Sequence, residues 1–213
     1  MSENVEEAPA KLYYDSLSVA RRTSQKIHLV SEHDKKALLK HLIKNNAYTY
    51  VIVIIKTKRE ADVLSDYLNT NGITARAIHA NKNAKECENA LASYNSGETT
   101  VLIMTDMILQ AQCLPVINQV FSYHIPLEVE HYYARLTALE EKGEGIALVS
   151  EEEHHIMDTI QWAMKVEILE EIPEGFTPSP PPVKQDIIKK DKTKKPRHKK
   201  SKIKKEIKKK DNE

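Results

Sequence analysis

Three features of the sequence predict an α/β domain of three layers, α/β/α, around an open and mostly parallel sheet. Short β-branched runs alternate with amphipathic stretches of about a dozen residues, the pattern of successive βαβ units. The runs at residues 49–55 and 100–104 are apolar without interruption, as strands covered by helices on both faces require. The composition then changes sharply after Ile172, where an ordinary globular sequence gives way to proline and lysine.

In chain order, residues 26–30 read as a strand and 32–44 as a helix, with Ala37, Leu38, Leu39, Leu42 and Ile43 at helical spacing. Ser31 and Asp34 stand where a cap belongs. The apolar strand 49–55 leads to a helix at 58–69, closed by Asn71-Gly72. A strand at 75–79, a helix at 84–94 and the turn Asn95-Ser96-Gly97 precede the second buried strand, 100–104. Strands at 119–123 and 145–149 and helices at 128–140 and 151–164 complete the alternation. Trp162 is expected to pack the last helix on the sheet, and Tyr123, Tyr132 and Tyr133 to fill core and cleft.

The 213 residues divide into a flexible segment 1–17, a domain over 18–172, a proline-rich linker 173–182 and a disordered lysine-rich tail 183–213. The overall charge of +1 hides an asymmetry. The tail has 15 Lys and Arg against 5 Asp and Glu, a net of +10, and the remaining 17 basic and 26 acidic residues give −9. An acidic body with a basic arm points to an anionic partner for the arm. With so little apolar content the arm cannot offset its ordering entropy when unbound.

Other classes are disfavoured. Cys87 and Cys113 form no C-x-x-C pair, have no histidine at metal-ligand spacing, and read as reduced thiols. Glu151, Glu152 and Glu153 before His154-His155 suit a helix N-terminus better than a metal site. His79 reads as a hydrogen-bonded, half-buried side chain. The acidic N-terminus lacks a secretory pattern, and the longest apolar run, 51–55, is far too short to cross a bilayer. These features suggest a cytoplasmic protein with no membrane partner, metal or cofactor.

Five local sequences, in order, resemble the C-terminal RecA-like domain of the DEAD-box RNA helicase family over residues 18–172. IHLVSEHDKKALLKHLI at 27–43 is similar to the family's strand and D/E-K-x-x-x-L-x-x-L helix. VIIKTKREAD at 53–62 is similar to the strand ending in F-V-x-T-K, and GITARAIHANKNAKECENAL at 72–91 to the G-I-x-A-x-x-I-H-G stretch. VLIMTDMILQAQCLP at 101–115 is similar to V-L-V-A-T-D-x-A-A-R-G-x-D-I-P, and residues 123–147 hold a decayed Y-x-x-H-R-x-G-R-T-G-R. The resemblance implies that RNA backbone is gripped by Thr57, Lys58, Arg59, Thr105 and Asp106. Thr57 also suits a helix N-cap, and Thr105-Asp106 a strand end capping a short helix.

The departures from the pattern fall on what the resemblance marks as the ATP side. The family's glutamine and arginine after I-H-G are Ala84 and Cys87 here, and its Arg, Gly and Asp after T-D are Gln110, Ala111 and Cys113. In the last motif His becomes Ala134, Arg135 survives, and the two later arginines become Ala138 and Glu141. An arginine finger is worth on the order of 10³–10⁵ in rate, and a glutamate there would repel a polyphosphate. The 213 residues contain neither G-x-x-x-x-G-K-[S/T] nor D-E-A-D.

The resulting expectation is a degenerate, stand-alone helicase C-terminal-type domain that binds RNA and does not hydrolyse ATP. In the arm, Lys189, Lys190, Lys194, Lys195, Arg197, Lys199 and Lys200 would neutralise phosphates without reading sequence. The other readings are a module docking on a helicase, nuclease or ribosome-associated partner, and half of an ATPase assembled in trans.

Overall fold

A computed structural model of the chain describes residues 16–111, 114, 117–139 and 143–180. Within them one sheet is built from β1 (Ser24–Leu29), β2 (Val51–Ile54), β3 (Ala75–Ile78), β4 (Val101–Met104), β5 (Gln119–Ser122), β6 (Glu144–Val149) and β7 (Leu169–Glu170). The order across the sheet is β3-β4-β2-β5-β6-β1-β7. Every pairing among these strands is parallel.

The apolar runs lie at the centre for the reason their composition suggests. Along β2 all four side chains are buried, Val51 and Val53 on one face and Ile52 and Ile54 on the other. In β4, Val101 and Ile103 alternate with Leu102 and Met104 in the same way. On one face α2 (Lys35–Asn45) and α3 (Lys58–Thr70) cover the sheet through residues such as Leu39, Leu42, Leu64 and Leu68. The opposite face is covered by α1 (Ser16–Arg22), α4 (Ala84–Asn95), α5 (Asp106–Ala111), α6 (Val129–Thr137) and α7 (His154–Met164).

This arrangement makes β2 a switch point. The chain leaves β2 into α3 on one face, whereas its neighbours β4 and β5 lead into α5 and α6 on the other. Divergent connections open a crevice beyond the carboxyl ends of adjacent parallel strands. The loops after β2, β4 and β5 therefore surround the natural place for a site.

Several local expectations need correction. Ser31 makes no side-chain cap, and Asp34 does not cap α2 with its carboxylate. Residues 32–34 form a one-turn 3₁₀ helix, and the buried Asp34 instead accepts from the Ser179 backbone N–H (2.9 Å) and hydroxyl (2.5 Å). Residues 151–153 are likewise a 3₁₀ turn, closed by a capping box between Ser150 and Glu153. Helix α6 ends at Thr137, short of the expected residue 140. Trp162 does not pack on the sheet but is 84% exposed. The buried residues of α7 are Met157, Ile160 and Met164, and two residues beyond Ile160 a helical side chain has turned about 200° away. Helix α1 and strand β7 were not anticipated. The segment expected as a linker lies against the body as far as residue 180, with Phe176 packed on the α2–α3 side of the core.

The exposed side of β3 is handled by one amide. Asn69 donates to the Ala75 carbonyl (2.8 Å) and accepts from the Ala75 N–H (3.0 Å), joined there by the Ser65 hydroxyl (3.1 Å).

Ile52 tests the covered-strand reading. Replacing it with alanine removes buried methyl groups from the centre of the sheet and should lower the unfolding free energy by about 2–5 kcal/mol, read from urea denaturation. A cost below about 1 kcal/mol would contradict the packing described.

Candidate nucleic-acid interface and cleft

The carboxyl edge gathers the loops after β2, β3, β4, β5 and β6. Thr57 follows β2 in extended conformation and caps α3: its Oγ1 accepts from the Glu60 N–H (3.2 Å) and donates to the Glu60 carboxylate (2.6 Å). Of the two roles weighed for Thr57, the structure shows the helix N-cap. Lys58 Nζ donates to Asn81 Oδ1 (3.0 Å) in the loop after β3. The Arg59 side chain is exposed and has no hydrogen-bond or ion-pair partner among the described residues. In the same loop His79 is buried against Asp62 (3.0 Å), which Lys82 also meets (3.0 Å), as a hydrogen-bonded histidine should be.

Thr105 closes β4, and its carbonyl accepts from the Ile108 (3.0 Å) and Leu109 (3.1 Å) N–H groups at the start of α5. Asp106 is held by a two-pronged contact from Arg135 on α6, Nε to Oδ1 at 2.7 Å and a terminal nitrogen to Oδ2 at 2.8 Å. The other terminal nitrogen of Arg135 donates to the His124 carbonyl (2.8 Å), and the residue is only 3% exposed. Arg135 is thereby fixed between α5, α6 and the end of β5. The fork geometry makes this pair strongly directional.

Of the remaining positions marked by the resemblance, Gln110 is exposed on α5, and Ala138 sits just beyond α6, partly buried against the core. Cys113 and Glu141 lie outside the described residues, as do Lys189, Lys190, Lys194, Lys195, Arg197, Lys199 and Lys200.

Between the ends of β2, β4, β5 and β6 lies an open cleft of about 680 Å³. Its floor is an ion-pair network that sequence reasoning missed. Lys35, with no exposed surface, donates to the Tyr123 carbonyl (3.0 Å) and pairs with Glu32 (2.9 Å) and Glu153. Glu153 also accepts from the Ser150 N–H (3.2 Å) and hydroxyl (3.0 Å) and from the Ile125 N–H (3.1 Å). His124 reaches Glu32 (3.4 Å), and its Nδ1 accepts from the Lys56 N–H (3.3 Å). The available signal was the D/E-K pair Asp34-Lys35 at the start of α2. Glu153 gave none, since an acid there already looked explained by the helix that follows.

The edge is divided in charge. Its β2 and β3 side presents Lys58 and Arg59. The cleft presents Glu32, Glu128 and Glu152 with Lys56 at its β2 border, beside Met107 (61% exposed) and Leu127 (78% exposed). No group of three or more His, Cys, Asp or Glu among the described residues could hold a metal ion, and no described helix is long and apolar enough to cross a membrane.

Comparisons with known proteins agree with this architecture. The family model of the helicase conserved C-terminal domain matches residues 34–137. A DEAD box protein from the hyperthermophile Methanococcus jannaschii is 27% identical, with a TM-score of 0.65 over 72% of this chain and 43% of that one. The E. coli DEAD-box protein SrmB, solved bound to regulator of ribonuclease activity A, aligns at TM-score 0.66 and 22% identity over 74% of this chain and 98% of that one. S. cerevisiae Dbp5 bound to RNA and ADP BeF3 aligns at TM-score 0.67 and 20% identity, over 74% of this chain and 44% of that one. The latter two likenesses speak to fold alone. The chain spans less than half of the archaeal and yeast proteins.

Fold and comparisons together define a RecA-like α/β domain, similar over residues 34–137 to the helicase conserved C-terminal domain. The DEAD-box proteins are what the body of this chain is similar to, through their C-terminal domain.

The network also sets a pH response. The hydrogen bond from His124 is the leading influence on Glu32, and with Lys35 it outweighs burial and holds the carboxyl at about 2, against an ordinary 4.5. A depressed carboxyl stabilises the fold above its unfolded pKa and loses that contribution as pH falls through the folded value. The stability gap between the protein and Glu32→Gln should therefore shrink as pH falls from 4.5 to about 2, measured by denaturant titrations at stepped pH. A gap independent of pH over that window would contradict the pairing.

Proposed function

We propose that the protein holds RNA by its backbone and does not turn over ATP. The contact would run along the β2 and β3 side of the carboxyl edge, where Lys58 and Arg59 stand, with Thr57 and Thr105 offering backbone-level polar groups. The basic segment 183–213 would add affinity and capture rate. Lysine and hydroxyl groups contact phosphate and sugar without reading bases, so the reading is sequence-indifferent. The yeast relative solved with RNA makes this ligand class natural for the fold.

One observation carries the non-catalytic half: Ala138 and Glu141 stand where the resembling motif has its two further arginines, and the one arginine kept, Arg135, is bound to Asp106 and the His124 carbonyl. Among the residues lining the cleft, Glu32, Glu128 and Glu152 outweigh the exposed Lys56, a balance that disfavours a triphosphate.

Met107 and Leu127 favour a second reading for the cleft itself. Exposed apolar side chains at the mouth of an acidic groove suit a protein partner, such as a helicase, nuclease or ribosome-associated protein. The E. coli relative was solved with a protein bound.

Fluorescence titration of labelled single-stranded RNA tests the first reading. Substituting Lys58 and Arg59 by alanine should weaken binding and reduce the slope of log K against log salt by about 1.4, since each single-strand phosphate contact contributes about 0.7. An unchanged slope would remove the domain face from the interface. Phosphate release with RNA, ATP and magnesium should match a protein-free blank; turnover by the pure chain would end the non-catalytic reading.

A further inference from the structure

The outer surface of α2 and α3 carries a cationic stripe that the carboxyl edge does not use. Helix α2 has no acid in its length, and its Lys36, Lys40 and Lys44 recur every fourth residue. That spacing lines them up along about 12 Å of one helix face. None of the three has a hydrogen-bond or ion-pair partner among the described residues. Two of them are held by an aromatic ring: the ammonium groups of Lys36 and Lys40 stand 5.4 Å and 5.9 Å from the centre of the Tyr67 ring on α3. A ring attracts an ammonium through its quadrupole and leaves the charge uncancelled and its N–H donors available. A carboxylate in the place of Tyr67 would have consumed both.

The acids of α3 are turned elsewhere. Glu60 bonds Thr57 at the helix start (2.6 Å), Asp62 meets His79 and Lys82 (3.0 Å each), and Asp66 lines the same hollow as Asp62 and Lys82 beside β3. On α2, His41 lies about 100° round the helix from Lys40, so the Glu174 carbonyl it binds meets a different side of the helix. Along α3, Arg59, Val63 and Tyr67 again recur every fourth residue, a ridge that leads from the carboxyl edge to the lysine stripe. Val63 is the only exposed large apolar side chain on these two helices. A face so poor in apolar anchors and so rich in unpaired cations suits a phosphate backbone better than a protein surface.

We propose that the α2–α3 face is a second stretch of RNA-backbone contact, in which Lys36, Lys40 and Lys44 neutralise phosphates and Tyr67 holds the first two lysines in position. This rests on the RNA-holding reading above. It extends that contact from Lys58 and Arg59 at the carboxyl edge, along the ridge through Val63, to the outer surface of the domain. Each neutralised phosphate adds to the salt dependence of binding, so the length of the footprint can be counted. Contacts of this kind carry no base preference.

The test titrates a labelled single-stranded RNA of mixed sequence with the full chain at several salt concentrations. Combining Lys36→Gln, Lys40→Gln and Lys44→Gln, which keeps the helix propensity of α2, should weaken binding and reduce the slope of log K against log salt by about 2, at about 0.7 for each lost contact. Arg21→Gln with Lys165→Gln, which removes exposed charges from the opposite layer, should leave the slope unchanged. Tyr67→Leu should weaken binding about 2–5-fold in the unmodified chain and not at all in the triple variant. An unchanged slope in the triple variant, or an equal loss per charge in the opposite-layer variant, would overturn the second stretch while leaving RNA binding intact. An equal effect of Tyr67→Leu in both backgrounds would overturn the positioning role of the ring. Absence of RNA binding by the unmodified chain at low salt would remove this inference and its parent reading together.

Discussion

The carboxyl edge of this domain depends on one buried cation. Lys35 has lost its hydration entirely, a cost of several kcal/mol for an ammonium group unless partners replace the water. The replacements come from distant parts of the chain: Glu32 before α2, the Tyr123 carbonyl after β5, and Glu153 beyond β6. Glu153 in turn gathers the N–H groups of Ser150 and Ile125. Three loops that could otherwise fray independently are thereby held by one charge. Removal of Glu153 would leave the fully buried Lys35 short of a partner in a dry site, so the loops around the cleft share one point of attachment.

That constraint shapes what the cleft can attract. With Lys35 satisfied internally and Arg135 committed to Asp106, these two cations contribute little outward field, which leaves Lys56 as the exposed lysine at the cleft. The acids Glu128 and Glu152 remain facing solvent beside Leu127 and Met107. A few residues beyond Lys56, Lys58 and Arg59 carry the opposite sign. A domain that is acidic overall can thus still present a basic strip, because the sign that matters is local within a Debye length of about 8–10 Å.

The core of the fold was legible because burial on both faces leaves an unmistakable residue choice, as in Val51–Ile54 and Val101–Met104. The Thr57 cap was legible as well, from a hydroxyl three residues before Glu60. What escaped reading was set by contacts far apart in sequence. Asp34 looked like a helix cap until Ser179, 145 residues on, appeared as its partner. Glu153 looked like an answer to a helix dipole, yet its carboxylate serves Lys35. Arg135 kept its place in a recognisable motif, but only the structure assigns its guanidinium to Asp106. Trp162 was misjudged because its size suggested burial while its angle on α7 did not.

The Asn69 amide at the rim of β3 has a consequence for life in a crowded solution. By offering a donor and an acceptor to Ala75, it imitates one residue of a neighbouring strand and occupies the position from which a foreign chain would begin to zip. An invading segment would have to displace both bonds and the Ser65 hydroxyl before gaining its first backbone contact there. A sheet this rich in valine and isoleucine is guarded at that border against growing into a larger one.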